Sequence, residues 1–158
     1  MSASGSGPNG RRIRARSHTQ AMAGKLGWTI TVPAVDTNTL LRWILDDVPE
    51  QTARVDRLLA SQDQLVVDDA VIIESVFVLE RVVGLGRSVI AEAIECVIAE
   101  ARFGLDRAHW ARVLDDYVDH PALSIADTHL AHRAQERGET LYTFDKKLAK
   151  QLGSVQLA

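Results

Sequence analysis

Four carboxylates stand at positions where a carboxylate is costly: Asp36, Glu74, Asp127 and Asp145. Asp36 closes the β-branched run TITVPAV (29–35), and Asp145 follows the short run LYTF. Asp127 lies in a helix start behind Ser124, and Glu74 sits inside the apolar stretch VIIESVFV. A carboxylate taken out of water must be compensated by a cation or by hydrogen-bond donors. In folds that alternate strands and helices, ligands bind at the carboxyl ends of the strands. Acids gathered there, with no histidine or cysteine ligand set, suit Mg²⁺ or Mn²⁺, hard cations that prefer oxygen. A metal held that way serves phosphodiester chemistry, because it lowers the pKa of water and clamps the transferring phosphoryl group.

Each acid also has a plain structural reading. Asp36 and Asp145 can cap the helices that follow them. Ser124-x-x-Asp127 has the spacing of a capping box. Glu74 is harder to explain in this way: its apolar neighbours predict burial, and no basic residue lies three or four positions away to pair with it. His129 and His132, three apart on the Asp127 helix, could start a zinc site. No cysteine or further histidine is spaced to complete one, so the pair reads as a solvated face.

These residues need elements to hold them. The pattern predicts a strand over 29–35, weakened by Pro33. Helices follow from Thr37 through LLRWIL and from about Glu50 to Ala60, then a short strand at Leu65–Val67. The next helix runs from about Ala70 to Val83 and stops at Gly84 and Gly86. Ser88 is expected to cap a helix over 88–101 whose apolar positions repeat at helical spacing. Residues 103–105 form a weak strand candidate, 107–118 a helix, and 124–137 a helix ended by Gly138. A strand over 140–144 delivers Asp145, and a last helix and a terminal strand close the chain. Strands alternating with helices predict an α/β fold, with a mainly parallel central sheet of four to five strands and helices on both faces.

At 158 residues, with ordinary apolar and charged fractions, the chain has room for one cored domain. Its charge is split. Residues 1–28 carry Arg11, Arg12, Arg14, Arg16 and Lys25 and no acid, a balance of +5; the remainder holds 13 basic and 21 acidic residues, a balance of −8. The Ser- and Gly-rich opening lacks any period, so residues 1–27 are expected to be a flexible basic tail and 28–158 the folded domain. The tail reads as a solvated or dispensable segment more readily than as an RNA contact. The lone Cys96 is expected to be a buried thiol in a reducing, cytoplasmic compartment. No apolar run reaches the roughly 20 residues of a membrane span, and no hydrophobic leader is evident.

Taken in order and spacing, VDTNTLLR (35–42), IIESVFVLE (72–80), SIADTHLA (124–131) and LYTFDKKL (141–148) resemble the four acidic motifs of PIN-domain nucleases. Within that family they look most like VapC-type toxins of type II toxin–antitoxin modules. The resemblance covers about Thr31 to Ala158. It implies a metal-dependent ribonuclease in which Asp36, Glu74, Asp127 and Asp145 coordinate Mg²⁺, with Mn²⁺ as substitute. Thr37, Asn38, Arg42 and Thr143 become candidates for contact with the RNA phosphates, Arg42 equally for a structural salt bridge. It further implies a homodimer and a cognate antitoxin, placed beside the helices at 70–83 and 88–101, where Val76, Phe77, Val83, Ile90, Ile94 and Ile98 offer more apolar surface than a small core needs. An inactive PIN-like interaction module and a housekeeping RNA-processing nuclease are the alternatives. A haloacid-dehalogenase-type phosphatase is disfavoured because Asp36 lacks the second aspartate of Asp-x-Asp, and a phosphotransfer receiver because the phosphoacceptor strand is missing.

Overall fold

The computed structural model describes residues 31–158; the basic tail and Trp28 lie outside them. The helices follow the expected period. Helix α1 (Thr37–Leu45) starts at Asp36, and α2 (Pro49–Ser61) starts on Pro49, whose missing N–H costs nothing in a first turn. Strand β1 (Leu65–Val66) leads into α3 (Asp69–Val78), which continues as a π-helical turn over Leu79–Val83. Gly84, at φ 80°, ends that turn, with its N–H on the Leu79 carbonyl. Helix α4 (Arg87–Ala99) follows, then β2 (Phe103–Gly104) and α5 (Arg107–Asp119). The N-cap of α4 is Gly86, not Ser88: the helix begins two residues earlier than a Ser88 cap implies, and no side chain caps it. Helix α6 (Ile125–Arg137), β3 (Leu141–Thr143), α7 (Lys146–Gln151) and β4 (Val155–Leu157) complete the chain.

The strands are mixed with helices and run parallel, as α/β alternation requires, but they are short. β1 pairs with β2, Leu65 opposite Phe103 and Val66 opposite Gly104. On the other side of β1, the part of the expected first strand that lies among the described residues forms one bridge, Ala34 to Val66. Val66 N–H donates to the Pro33 carbonyl at 2.8 Å, and Val35 N–H to the Val66 carbonyl at 3.0 Å. Pro33 has no N–H to extend that ladder. β3 pairs with β4 in a separate parallel ribbon. Among the described residues these pairings make two two-stranded units and a bridge, not one continuous sheet of four to five strands.

Two hydrophobic clusters hold the elements. The larger packs Leu40, Leu65, Ile72, Val76, Leu79, Ile90, Ile94, Phe103, Trp110 and Tyr117 where α1, α3, α4 and α5 meet over β1 and β2. The smaller packs Leu123, Ala131, Leu148, Leu152 and Val155, and fastens the β3–α7–β4 unit to α6. Val76, Ile90 and Ile94, expected to be surplus, are buried in this core; Phe77, Val82, Val83 and Val89 are exposed. Cys96 is exposed, on the outer side of α4, and is not the buried thiol expected from its apolar neighbours.

A polar seam crosses the α5–α6 contact. His109 is fully buried; its Nδ1 lies 2.8 Å from Glu136 Oε1 and its Nε2 2.9 Å from His129 Nδ1. The His129 ring stacks on Trp110, with centroids 5.1 Å apart. His132 Nε2 meets Asp116 Oδ2 at 2.8 Å. The two histidines of α6 are therefore seam residues, not a solvated face. His129 is pushed down in pKa by burial, against the pull of Asp69. Beside it, Arg133 donates to Asp69, Asp106 and Glu136, each at 2.9 Å, and Trp110 Nε1 donates to Asp69 at 2.9 Å. This knot joins the first residue of α3, the start of α5 and the body of α6.

Candidate active site

Asp36 is the N-cap of α1. Its Oδ1 accepts the Thr39 N–H at 2.8 Å, and Thr39, through its side chain and that N–H, holds the Asp36 carboxyl below its ordinary value. The next residue makes the connection that matters most: Thr37 Oγ1 donates to Glu74 Oε2 at 2.5 Å. A hydroxyl on the first turn of α1 is thus bonded to a carboxylate in the middle of α3. Glu74 is exposed, contrary to the burial its neighbours predict. α3 is apolar around most of its circumference, and Glu74 occupies the strip that the core leaves open to a cleft.

That cleft, of about 420 Å³, is lined by Asp36, Thr37, Asn38, Arg42, Asp47 and Glu74 on its polar side. Leu41, Leu45, Val78, Val82 and Val83 form its apolar side. Arg42 spends one guanidinium nitrogen on Asp47 at 2.6 Å, which realises the salt-bridge reading while leaving the residue in the cleft wall. Asp47 had no sequence signal of its own; it is noticed only once Arg42 is seen to fold back over the end of α1.

Asp127 and Asp145 do not line this cleft. Asp127 closes the capping box of α6: its Oδ2 accepts from Ser124 N at 3.1 Å and Ser124 Oγ at 2.7 Å. Asp145 caps α7, its Oδ1 accepting from Lys147 N at 2.7 Å and Leu148 N at 3.3 Å. Thr143 Oγ1 accepts the Asp145 N–H at 3.0 Å, so this hydroxyl positions the acid's backbone. Among the described residues no group of three or more histidine, cysteine, aspartate or glutamate side chains converges as a metal cage would.

One regularity runs through the four acids. Each gives one oxygen to the fold: Asp36 Oδ1, Glu74 Oε2, Asp127 Oδ2 and Asp145 Oδ1. Among the described residues the other oxygen of Glu74, Asp127 and Asp145 accepts no hydrogen bond from the protein. Oxygen donors of this kind fit Mg²⁺ or Mn²⁺, and Mg²⁺ in particular is commonly held by one or two carboxylates with water completing its shell. Asp36 and Glu74, which line one cleft, offer such oxygens there. A separate hollow of about 370 Å³, lined by Asp116, His120, His132, Gln135 and Gln151 among others, contains none of the four motif acids.

The profile of the PIN domain family matches residues 34–151. The chain belongs to the PIN domain family. Most of the described fold falls inside the match, as do all four motif acids. PIN domains are generally nucleases that use divalent metal ions such as Mg²⁺, so membership points to nucleic acid as substrate and to hydrolase chemistry. No curated protein matches the chain. Among the described residues no helix is long and apolar enough to cross a membrane.

Proposed function

We propose that this PIN domain is a metal-dependent ribonuclease that acts as a growth-arresting toxin held in check by a cognate antitoxin. One observation carries the catalytic part. Two motif acids from separate helices, Asp36 and Glu74, line one cleft, and Thr37, the residue after Asp36, donates its hydroxyl to Glu74 at 2.5 Å. Asp36 and Glu74 would hold Mg²⁺ or Mn²⁺ there, with Asp127 and Asp145 supplying further oxygens, as the motif match implies. When bound, the metal would supply an activated water and charge neutralisation at the phosphodiester. The protein's own parts in this reading are distinct. Thr37 fixes the rotamer of Glu74 and keeps one of its oxygens occupied. Thr39 lowers the Asp36 pKa through its hydrogen bonds. Arg42 and Asn38, on the wall beside them, are placed to meet a phosphate oxygen. Thr143 acts through Asp145, which it orients.

The toxin assignment rests on the wording of the four motifs. Exposed Val82 and Val83 on the cleft wall, with exposed Phe77 and Val89 on the helices around them, support a second copy and an antitoxin segment on these helices. Expression in bacteria distinguishes the toxin from its alternatives. The wild type should arrest growth, and Asp36→Asn should not. A harmless wild type that accumulates in folded form without an antitoxin would favour a housekeeping RNA-processing enzyme or an inactive interaction module.

A further inference from the structure

Phe144 is 87% exposed and Tyr142 64%, the first being the most exposed large apolar side chain among the described residues. Tyr142 lies in β3 and Phe144 is the first residue past its end. β3 alternates partly buried Leu141, exposed Tyr142 and partly buried Thr143, and exposed Phe144 continues the alternation. The exposure alternation that strand geometry imposes on Leu141–Thr143 carries on to Phe144, which groups the two exposed rings. Tyr142 stands opposite Gln156 in the β3–β4 register, so an exposed amide lies on that same face. Asp145 follows immediately, and α7 then brings Lys146, Lys147 and Lys150, all exposed. These are the three lysines of the described residues, gathered on one short helix of a body whose balance is −8.

From this juxtaposition we infer that Tyr142 and Phe144 form a stacking platform for the bases of single-stranded RNA, with the α7 lysines following its phosphates. The inference deepens the ribonuclease reading and rests on it for the identity of the nucleic acid. Aromatic faces accept any base by stacking, and unpaired RNA bases are free to lie on them. Exposed lysines on the helix that follows supply the charge complementarity that a purely apolar partner would not use. Gln156 adds donors and acceptors for a base edge. The platform adjoins Asp145, so a strand stacked on it runs toward a motif acid. A duplex, its bases already stacked, has nothing to offer the two rings.

The test measures binding apart from cleavage. Full-length protein in EDTA is titrated into a fluorescently labelled single-stranded ten-nucleotide RNA and into an abasic oligonucleotide with the same backbone, and anisotropy is read. The wild type should prefer the base-bearing strand. Phe144→Ser should weaken that binding by roughly tenfold and leave the abasic strand almost unaffected, while Phe144→Trp should keep the preference. Thermal melts should coincide, since so exposed a ring contributes little to the core. Equal affinity for the two oligonucleotides in the wild type, or unchanged RNA binding in Phe144→Ser and Tyr142→Ser, overturns the platform. So does a change in mass by light scattering in Phe144→Ser with RNA affinity intact, which would make the patch a protein interface. Cleavage with Mg²⁺, run in parallel, separates the two readings. Base-dependent binding without cleavage upholds the platform and defeats the nuclease; cleavage with no dependence on Phe144 does the reverse.

Discussion

Asp36, Asp127 and Asp145 each give one carboxylate oxygen to a helix N-terminus. Asparagine caps helices about as well as aspartate. Asp36→Asn and Asp145→Asn should therefore melt close to the wild type, and Asp127→Asn, at the third helical position, still offers an oxygen to Ser124; all three should lose activity by about 100-fold or more, with double variants far from additive. Asp36→Ala should in addition lose about 1 kcal/mol of stability with its cap. Thr37 gives a finer test. Thr37→Val removes the donor to Glu74 and should cost roughly 10- to 100-fold in metal affinity or activity, and Thr37→Ser should restore most of it. Steady-state cleavage at varied Mg²⁺ reads both effects. At this scale the sequence pattern located the acids but not their surroundings. The burial predicted for Glu74 was wrong because local apolar neighbours do not reveal which strip of a helix the core leaves uncovered. Cys96 failed the same way, on the outer side of α4.

The helices were legible because their apolar period and their stops are local: Pro49 opens α2, Gly84 ends the π turn, and Ser124 with Asp127 opens α6. The strands were legible as positions and not as a sheet, since pairing depends on partners far along the chain and Pro33 cuts the first ladder short. The histidine seam and the Arg133 knot were invisible for the same reason; Arg133 meets Asp69 across 64 positions. Burial works against the Arg133 cation, but its bonds to Asp106, Asp69 and Glu136 outweigh that and hold its pKa raised. Arg133→Met leaves those carboxylates together without their cation and should cost about 2 kcal/mol, less than for a wholly buried pair. Chemical denaturation would measure it. The seam also sets a pH dependence. Burial lowers the pKa of His129, so the unfolded chain binds the extra proton more readily, and stability should fall as pH drops below about 6.5. Glu136 is also disfavoured as an anion by burial, but bonds from His109, Arg112 and Arg133 pull its pKa to about 2. Its contribution is full above its ordinary value of 4.5 and is lost as pH falls toward 2. Melts from pH 8 to pH 5 should show the first decline, and His129→Asn should flatten it.

Over the whole molecule, the acidic body and basic tail divide the chain by charge. The family match covers 34–151 and leaves the tail out. Deleting residues 1–27 should leave RNA cleavage and antitoxin binding intact, and loss of cleavage on truncation would assign the tail to the substrate. The central claim is that the acids of this PIN domain hold a divalent metal for RNA hydrolysis, and one measurement bears on it most directly. Purified wild type, Asp36→Asn and Glu74→Gln are incubated with single-stranded RNA in Mg²⁺, in EDTA, and in EDTA followed by excess Mn²⁺. The wild type should cleave in Mg²⁺, stop in EDTA and recover with Mn²⁺, while both variants stay inactive throughout although their melts match the wild type. Cleavage that survives exhaustive chelation, or a variant that cleaves as fast as the wild type, would contradict the account.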